Sequence, residues 1–120
     1  MENHRENVLL SKSFLFAIRI VKLYKYLSSE KREYVLSKQL LRSGTAVGAL
    51  VREAQNAESK KDFIHKLAIA QKECDESSYW LELLKETKYL NPGEFVSINE
   101  NSTELLKIIK SSILTIKQKM

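Results

Sequence analysis

The sequence predicts an all-α protein built as a four-helix bundle. Two observations carry that reading. Helix-breaking segments are few and grouped: Ser28-Ser29-Glu30-Lys31, Asn56 to Lys60, and Asn91-Pro92-Gly93, in a chain of 120 residues with 3 Gly and 1 Pro. In the longest segment between them, Phe63, Leu67, Ala70, Cys74, Ser77, Leu81 and Leu84 recur at alternating spacings of four and three. That is the period of a helix seam in a bundle. A chain of this length buries roughly two thirds of its unfolded surface, so one domain over 1–120 can form without staples. Its single Cys cannot make an intramolecular disulfide, which suits a reducing compartment.

The first helix is expected over 11–28, behind a flexible N-terminal tail at 1–10. It carries two apolar stripes: Phe14, Ile18 and Val21, and, offset from them, Phe16, Ile20, Leu23 and Leu27. A bundle helix in a monomer needs one. The second stripe points to a further contact, most simply with another copy of the chain. The second helix, over 33–55, holds Gly44 and Gly48 on one face with Leu40, Val47 and Val51. A glycine inside a helix costs about 1 kcal/mol against alanine. Close approach of a neighbouring backbone would offset that cost. The third helix, over 60–89, has Glu58 and Asp62 at its start and Lys85 and Lys88 at its end, as the helix dipole favours. The fourth opens at Asn91-Pro92-Gly93-Glu94, a capping-box signature with Pro at the first position. Residues 97–104 are polar and poor helix formers, so 91–101 is expected to be a loop or short helix before the last helix. The apolar stripe there is Leu105, Ile109, Ser112 and Ile116.

Catalysis finds little support. The imidazoles are His4, in the expected tail, and His65. His65 and Cys74 stand nine residues apart on one helix, on opposite sides of it, so they cannot form a nucleophile–base pair. Cys74 falls on the apolar seam and reads as an inert buried thiol. A di-iron bundle site needs two Glu-x-x-His pairs, and Asp62–His65 is the sole approximation. The acidic set Glu73, Asp75 and Glu76 reads as a solvated or ion-paired face. No phosphate-loop, dinucleotide or zinc spacing occurs. No cofactor and no metal are expected. The longest apolar run, Phe14 to Ile18, ends at Arg19, far short of the roughly 20 residues of a spanning helix. No membrane association is expected, and the cytoplasm is the expected compartment.

The net charge of +5 is unevenly placed: residues 1–60 hold 11 basic and 6 acidic side chains, whereas 61–120 hold 9 of each. Within 11–42, Lys12, Arg19, Lys22, Lys25, Lys31, Arg32, Lys38 and Arg42 face only Glu30 and Glu33. On the second helix, Lys38, Arg42 and Arg52 lie opposite the glycine face. Lys and Arg on rigid helices can track a phosphate backbone, and Tyr26 or Tyr34 can stack on bases. The candidate nucleic-acid contacts are Arg19, Lys22, Lys25, Lys38, Arg42 and Arg52. The alternative is a scaffold that binds a protein partner.

Several segments are similar to a known family. They are Ser13-Phe14, Phe16-Ala17 and Arg19-Ile20-Val21, then Leu36 to Ala49, Glu53-Ala54 and Ala57 to Ile64, and finally Lys66 to Leu81. Together they resemble the bacterial four-helix-bundle proteins encoded in intervening sequences of 23S rRNA genes, over about residues 12–90. Leu50 departs from the family pattern, in which Asn is common. The resemblance implies an antiparallel, up-and-down, left-handed four-helix bundle without enzymatic activity. Relatives, including the accessory proteins of diversity-generating retroelements, resemble homopentameric barrels that bind nucleic acid and a protein partner through a basic surface. By that resemblance the chain is expected to form a homo-oligomer, a pentamer, that binds RNA or DNA.

Overall fold

The computed structural model describes residues 4–120, with side chains from Val8 onward. Four helices follow one another: α1 (His4–Ser29), α2 (Leu36–Ala54), α3 (Lys60–Glu86) and α4 (Pro92–Gln118). Each packs on its neighbour in the chain, and α4 closes the ring against α1, while among the described residues the diagonal pairs bring no Cα atoms within 8 Å of each other. Short connections force consecutive helices antiparallel, giving the up-and-down bundle. The result is a rod of 47 × 21 × 19 Å.

The core is one layer of side chains from each helix at the 3.5-residue period. On α1 it runs Leu9, Ser13, Phe16, Ile20 and Leu27, and on α3 it runs Leu67, Ala70, Cys74, Ser77, Leu81 and Leu84, all buried. Buried serines fit among these apolar groups because each finds a partner. Ser77 Oγ donates to Ser43 Oγ at 2.9 Å, Ser43 Oγ to the Leu40 carbonyl at 3.4 Å, and Ser78 and Ser102 share a bond of 2.6 Å. No buried side-chain N or O among the described residues is left unsatisfied, as native cores require. Leu50 packs against this core half-buried.

Several boundaries differ from expectation, among them the start of α2, which falls at Leu36 rather than at 33. The tail proposed for 1–10 is helical from His4, because Ser13 and Leu9 extend the buried stripe of α1 backward; residues 1–3, and the side chain of His4, lie outside the described residues. The segment 91–101 is neither loop nor separate turn but the first part of one continuous α4. Ile98 and Ser102 continue the buried stripe into Leu105, Ile109 and Ser112, so the polar residues between them are a solvated face. Its start is as expected: Asn91 accepts from the Glu94 amide at 2.8 Å, and Glu94 accepts from the Asn91 amide at 2.9 Å. The proposed end of α3 at 89 moves to Glu86. Lys88 turns left-handed at φ 69, and the Tyr89 and Lys88 amides donate to the Leu84 and Lys85 carbonyls. That is a Schellman ending with lysine where glycine is usual.

The glycines of α2 mark close packing, against a neighbouring backbone as expected at Gly48 but against a side chain at Gly44. An added Cβ on Gly44 would lie 2.7 Å from Ile20 Cγ1, and one on Gly48 would lie 3.2 Å from the Ser13 carbonyl oxygen. The α1–α2 seam is tight because these positions lack side chains.

Candidate nucleic-acid interface

The outward faces of α1 and α2 form one broad side of the rod. On α1 the outward positions are Phe14, Leu15, Ile18, Lys22 and Lys25, all exposed. On α2 they are Lys38, Arg42, Ala49 and Arg52. The antiparallel pairing sets Arg52 beside the start of α1 and Lys38 beside its end. Arg52 lays its guanidinium over the Phe14 ring, 5.7 Å from the centroid. Phe14 and Leu15 are 51% and 60% exposed. The stripe Phe14, Ile18 and Val21 is therefore presented to solvent rather than used in the core, except for the half-buried Val21, while Phe16, Ile20 and Leu27 of the other stripe are buried.

The six candidate cations divide into two kinds. Arg19 is half-buried in the α1–α4 seam, where it donates to the Ser97 carbonyl at 3.1 Å, to Asn101 Oδ1 at 2.6 Å and to Ser97 Oγ at 2.6 Å. It clamps two helices and is held by neutral acceptors. Arg42 reaches across to α3 and donates to Glu73 at 3.2 Å and to Glu76. Trp80 Nε1 donates to the same Glu76 carboxylate at 3.1 Å. These bonds, Trp80's first and then Arg42's, hold Glu76 below the usual carboxylate range. In return Glu76, chiefly, raises the already high Arg42 pKa. Both arginines thus have part of their donor set engaged within the chain. Lys22, Lys25, Lys38 and Arg52 are exposed, and none lies within ion-pair distance of a carboxylate among the described residues.

Sequence reasoning missed the role of Glu33. It counted as one of two acids diluting the basic segment. In the structure it is buried and turned onto the start of α2, accepting from the amides of Val35 at 3.1 Å, Leu36 at 3.0 Å and Ser37 at 2.7 Å. Burial pushes its pKa up, but these amide bonds outweigh it and hold the carboxyl below its ordinary range. Val35 provides no side-chain cap, so Glu33 supplies it from outside the helix. The signal was faint because the carboxylate reaches back through an irregular connection.

The groups considered for catalysis are separated or committed. Glu73 and Glu76 are ion-paired with Arg42. Cys74 is fully buried, donates to the Ser102 carbonyl at 3.3 Å, and is pushed up in pKa by burial. His65 is exposed. Among the described residues, no group of three His, Cys, Asp or Glu side chains is placed to hold a metal, and no helix is long and apolar enough to cross a membrane.

Comparison with known proteins places this architecture. Residues 5–111 match the family model described as 23S rRNA-intervening sequence protein. A solved structure from Bacteroides thetaiotaomicron, described as a protein of unknown function from the S23 ribosomal protein family, is 53% identical. The match covers 91% of this chain and 97% of that one, with a TM-score of 0.90. No curated protein matches the chain.

Proposed function

The chain belongs to the 23S rRNA-intervening sequence protein family, and from that premise we propose that it works without catalysis, as a cytoplasmic homo-oligomer that holds RNA or DNA on the outward faces of α1 and α2. The observation that carries the reading is the set Lys22, Lys25, Lys38 and Arg52, exposed on rigid helices and, among the described residues, with no carboxylate within ion-pair distance. Such cations release counterions from a phosphate backbone and supply affinity that needs no base reading. Arg19 and Arg42 act in this reading as the clamps that keep α1 and α2 in place.

The exposed Phe14, Leu15 and Ile18 support self-association, since an apolar cluster on a charged surface marks a contact. Repeating the basic face around a ring strengthens its field, and a pentamer is the stoichiometry we propose. Light scattering tests this part: a multiple of the 13.9 kDa chain mass is expected, and a particle near 13.9 kDa would refute it. A second reading, a scaffold for a protein partner, is favoured by the same apolar cluster. Reversing Lys22, Lys25 and Lys38 to Glu separates the two. Loss of RNA binding with the oligomer intact supports the first reading, RNA binding that survives the triple reversal refutes this face as the interface, and an unaltered oligomer that binds no RNA supports the second.

A further inference from the structure

We propose that the corner between α1 and α2 is a site for single-stranded nucleic acid, with Tyr26 and Tyr34 as the surfaces on which bases stack. The inference rests on the nucleic-acid reading above and narrows it to one end of the rod and one class of ligand.

The corner comprises the last two turns of α1, the connection 30–35 and the first turn of α2. Lys22, Lys25, Lys31, Arg32 and Lys38 all stand exposed within it. By composition they meet two acids, but Glu33 has withdrawn its carboxylate onto the Val35, Leu36 and Ser37 amides. Glu30 is the one acid the corner presents. The capping that starts α2 therefore leaves the neighbouring cations without Glu33 as an ion-pair partner, although Glu33 keeps its own charge. It further occupies the first amides of α2, so anion recognition here falls to side chains rather than to the helix terminus.

Two aromatic rings share the corner. Tyr26 is 38% exposed and Tyr34 is 52% exposed. Lys31 Nζ lies 6.0 Å from the Tyr26 centroid, at the outer limit of a cation–π contact, where an incoming base can displace it. The corner is also shaped in advance. Arg32 is held left-handed at φ 54, and the Glu33 amide donates to the Leu27 carbonyl at 2.9 Å, tying the connection back onto α1. Cations that follow a backbone beside rings that accept any base are the two parts of a single-strand site. In a duplex the bases are already stacked on one another and leave these rings without a role.

The test is fluorescence anisotropy on the full chain with oligonucleotides of about ten residues, a length matched to such sites: oligo(rU), oligo(dT), and a duplex of equal length. Single strands are expected to bind more tightly than the duplex, and the two single strands show whether sugar is read. Tyr34→Ala is expected to weaken single-strand binding about tenfold and leave duplex binding unchanged, while Tyr34→Phe retains it. Replacing Arg32 by Ala is expected to lower the salt slope by about 0.7. Tyr34 is exposed, so its variants keep the fold, which thermal melting verifies. Duplex binding with Tyr34→Ala equal to wild type on single strands would overturn this inference and leave the broader reading standing. Failure of wild type on all three probes would overturn both. Binding of an acidic peptide at this corner, with no oligonucleotide bound, would do the same.

Discussion

Replacing Gly44 by alanine sets two opposing effects against each other on the seam that carries the candidate interface. Alanine in a helix interior gains about 1 kcal/mol over glycine. Against it stands Ile20, whose Cγ1, Cγ2 and Cδ1 would lie 2.7, 2.9 and 3.2 Å from the new Cβ. Ordinary carbon contacts lie at about 3.5–4.0 Å. Ile20 is fully buried, and a β-branched side chain in a helix is held to one strongly preferred χ1 rotamer, so rotation away from the new Cβ is itself costly. Relief requires α1 and α2 to separate. Overpacking costs about 1–3 kcal/mol, and three close contacts place this site near the upper end. The expected net loss is about 2 kcal/mol. Ile20→Ala alone should cost about 3 kcal/mol through the cavity it leaves. In the double variant the clash is gone and the helix gain returns, so the pair should cost about 2 kcal/mol, less than Ile20→Ala alone. Urea unfolding of the four proteins in this cycle measures the coupling. A Gly44→Ala protein more stable than wild type would refute the packing argument, as would a double variant whose loss equals the two single losses combined.

Other expectations follow from the same structure. Glu33→Gln should cost about 1–2 kcal/mol, because three amides at the start of α2 lose a charged acceptor. Glu33 is depressed in the folded state, so its stabilisation is complete above the unfolded value of about 4.3 and is lost as pH falls through the lower folded value; acid unfolding curves should show a shallower pH dependence in the variant. Lys88→Gly should stabilise the fold by about 1 kcal/mol, since lysine pays for a left-handed conformation that glycine adopts freely, and a thermal melt decides it. Arg42→Ala should change RNA affinity by less than about twofold because its charge already serves Glu73 and Glu76; a large loss in a binding assay would return Arg42 to the interface. Cys74 should resist a thiol reagent in the native protein and react once urea exposes it, as its burial and raised pKa require.

Much of the fold was readable because the helices obey simple periodicities. The α3 seam from Leu67 to Leu84 is buried at every expected position, with Phe63 half-buried. Gly44 and Gly48 lie at the close contact their position implied. Phe14 and Ile18 are left outside the core, as a second stripe on α1 suggested. What was not readable depended on partners distant in the chain. The polar run after Pro92 looked unhelical because propensity was weighed without knowing that Ile98 and Ser102 would be buried against α1 and α3. Arg19 and Arg42 read as free cations because their acceptors, Asn101 and Glu76, lie on helices whose adjacency no local pattern reveals. Glu33 read as surface acid because a carboxylate capping a helix from outside it leaves no spacing signature. The exposed basic surface of α1 and α2 was therefore legible in outline, while the set of free cations changed: Arg19 and Arg42 are engaged within the chain, and Lys22, Lys25, Lys38 and Arg52 stay exposed.

The salt dependence of RNA binding by the full chain tests the central claim most directly. Phosphate contacts by Lys22, Lys25, Lys38 and Arg52 predict a log–log slope of about −3 or steeper, roughly a 50-fold or greater loss of affinity between about 50 and 200 mM salt, and Lys31 and Arg32 at the α1–α2 corner would steepen it further. An affinity that stays flat across that range would contradict the account.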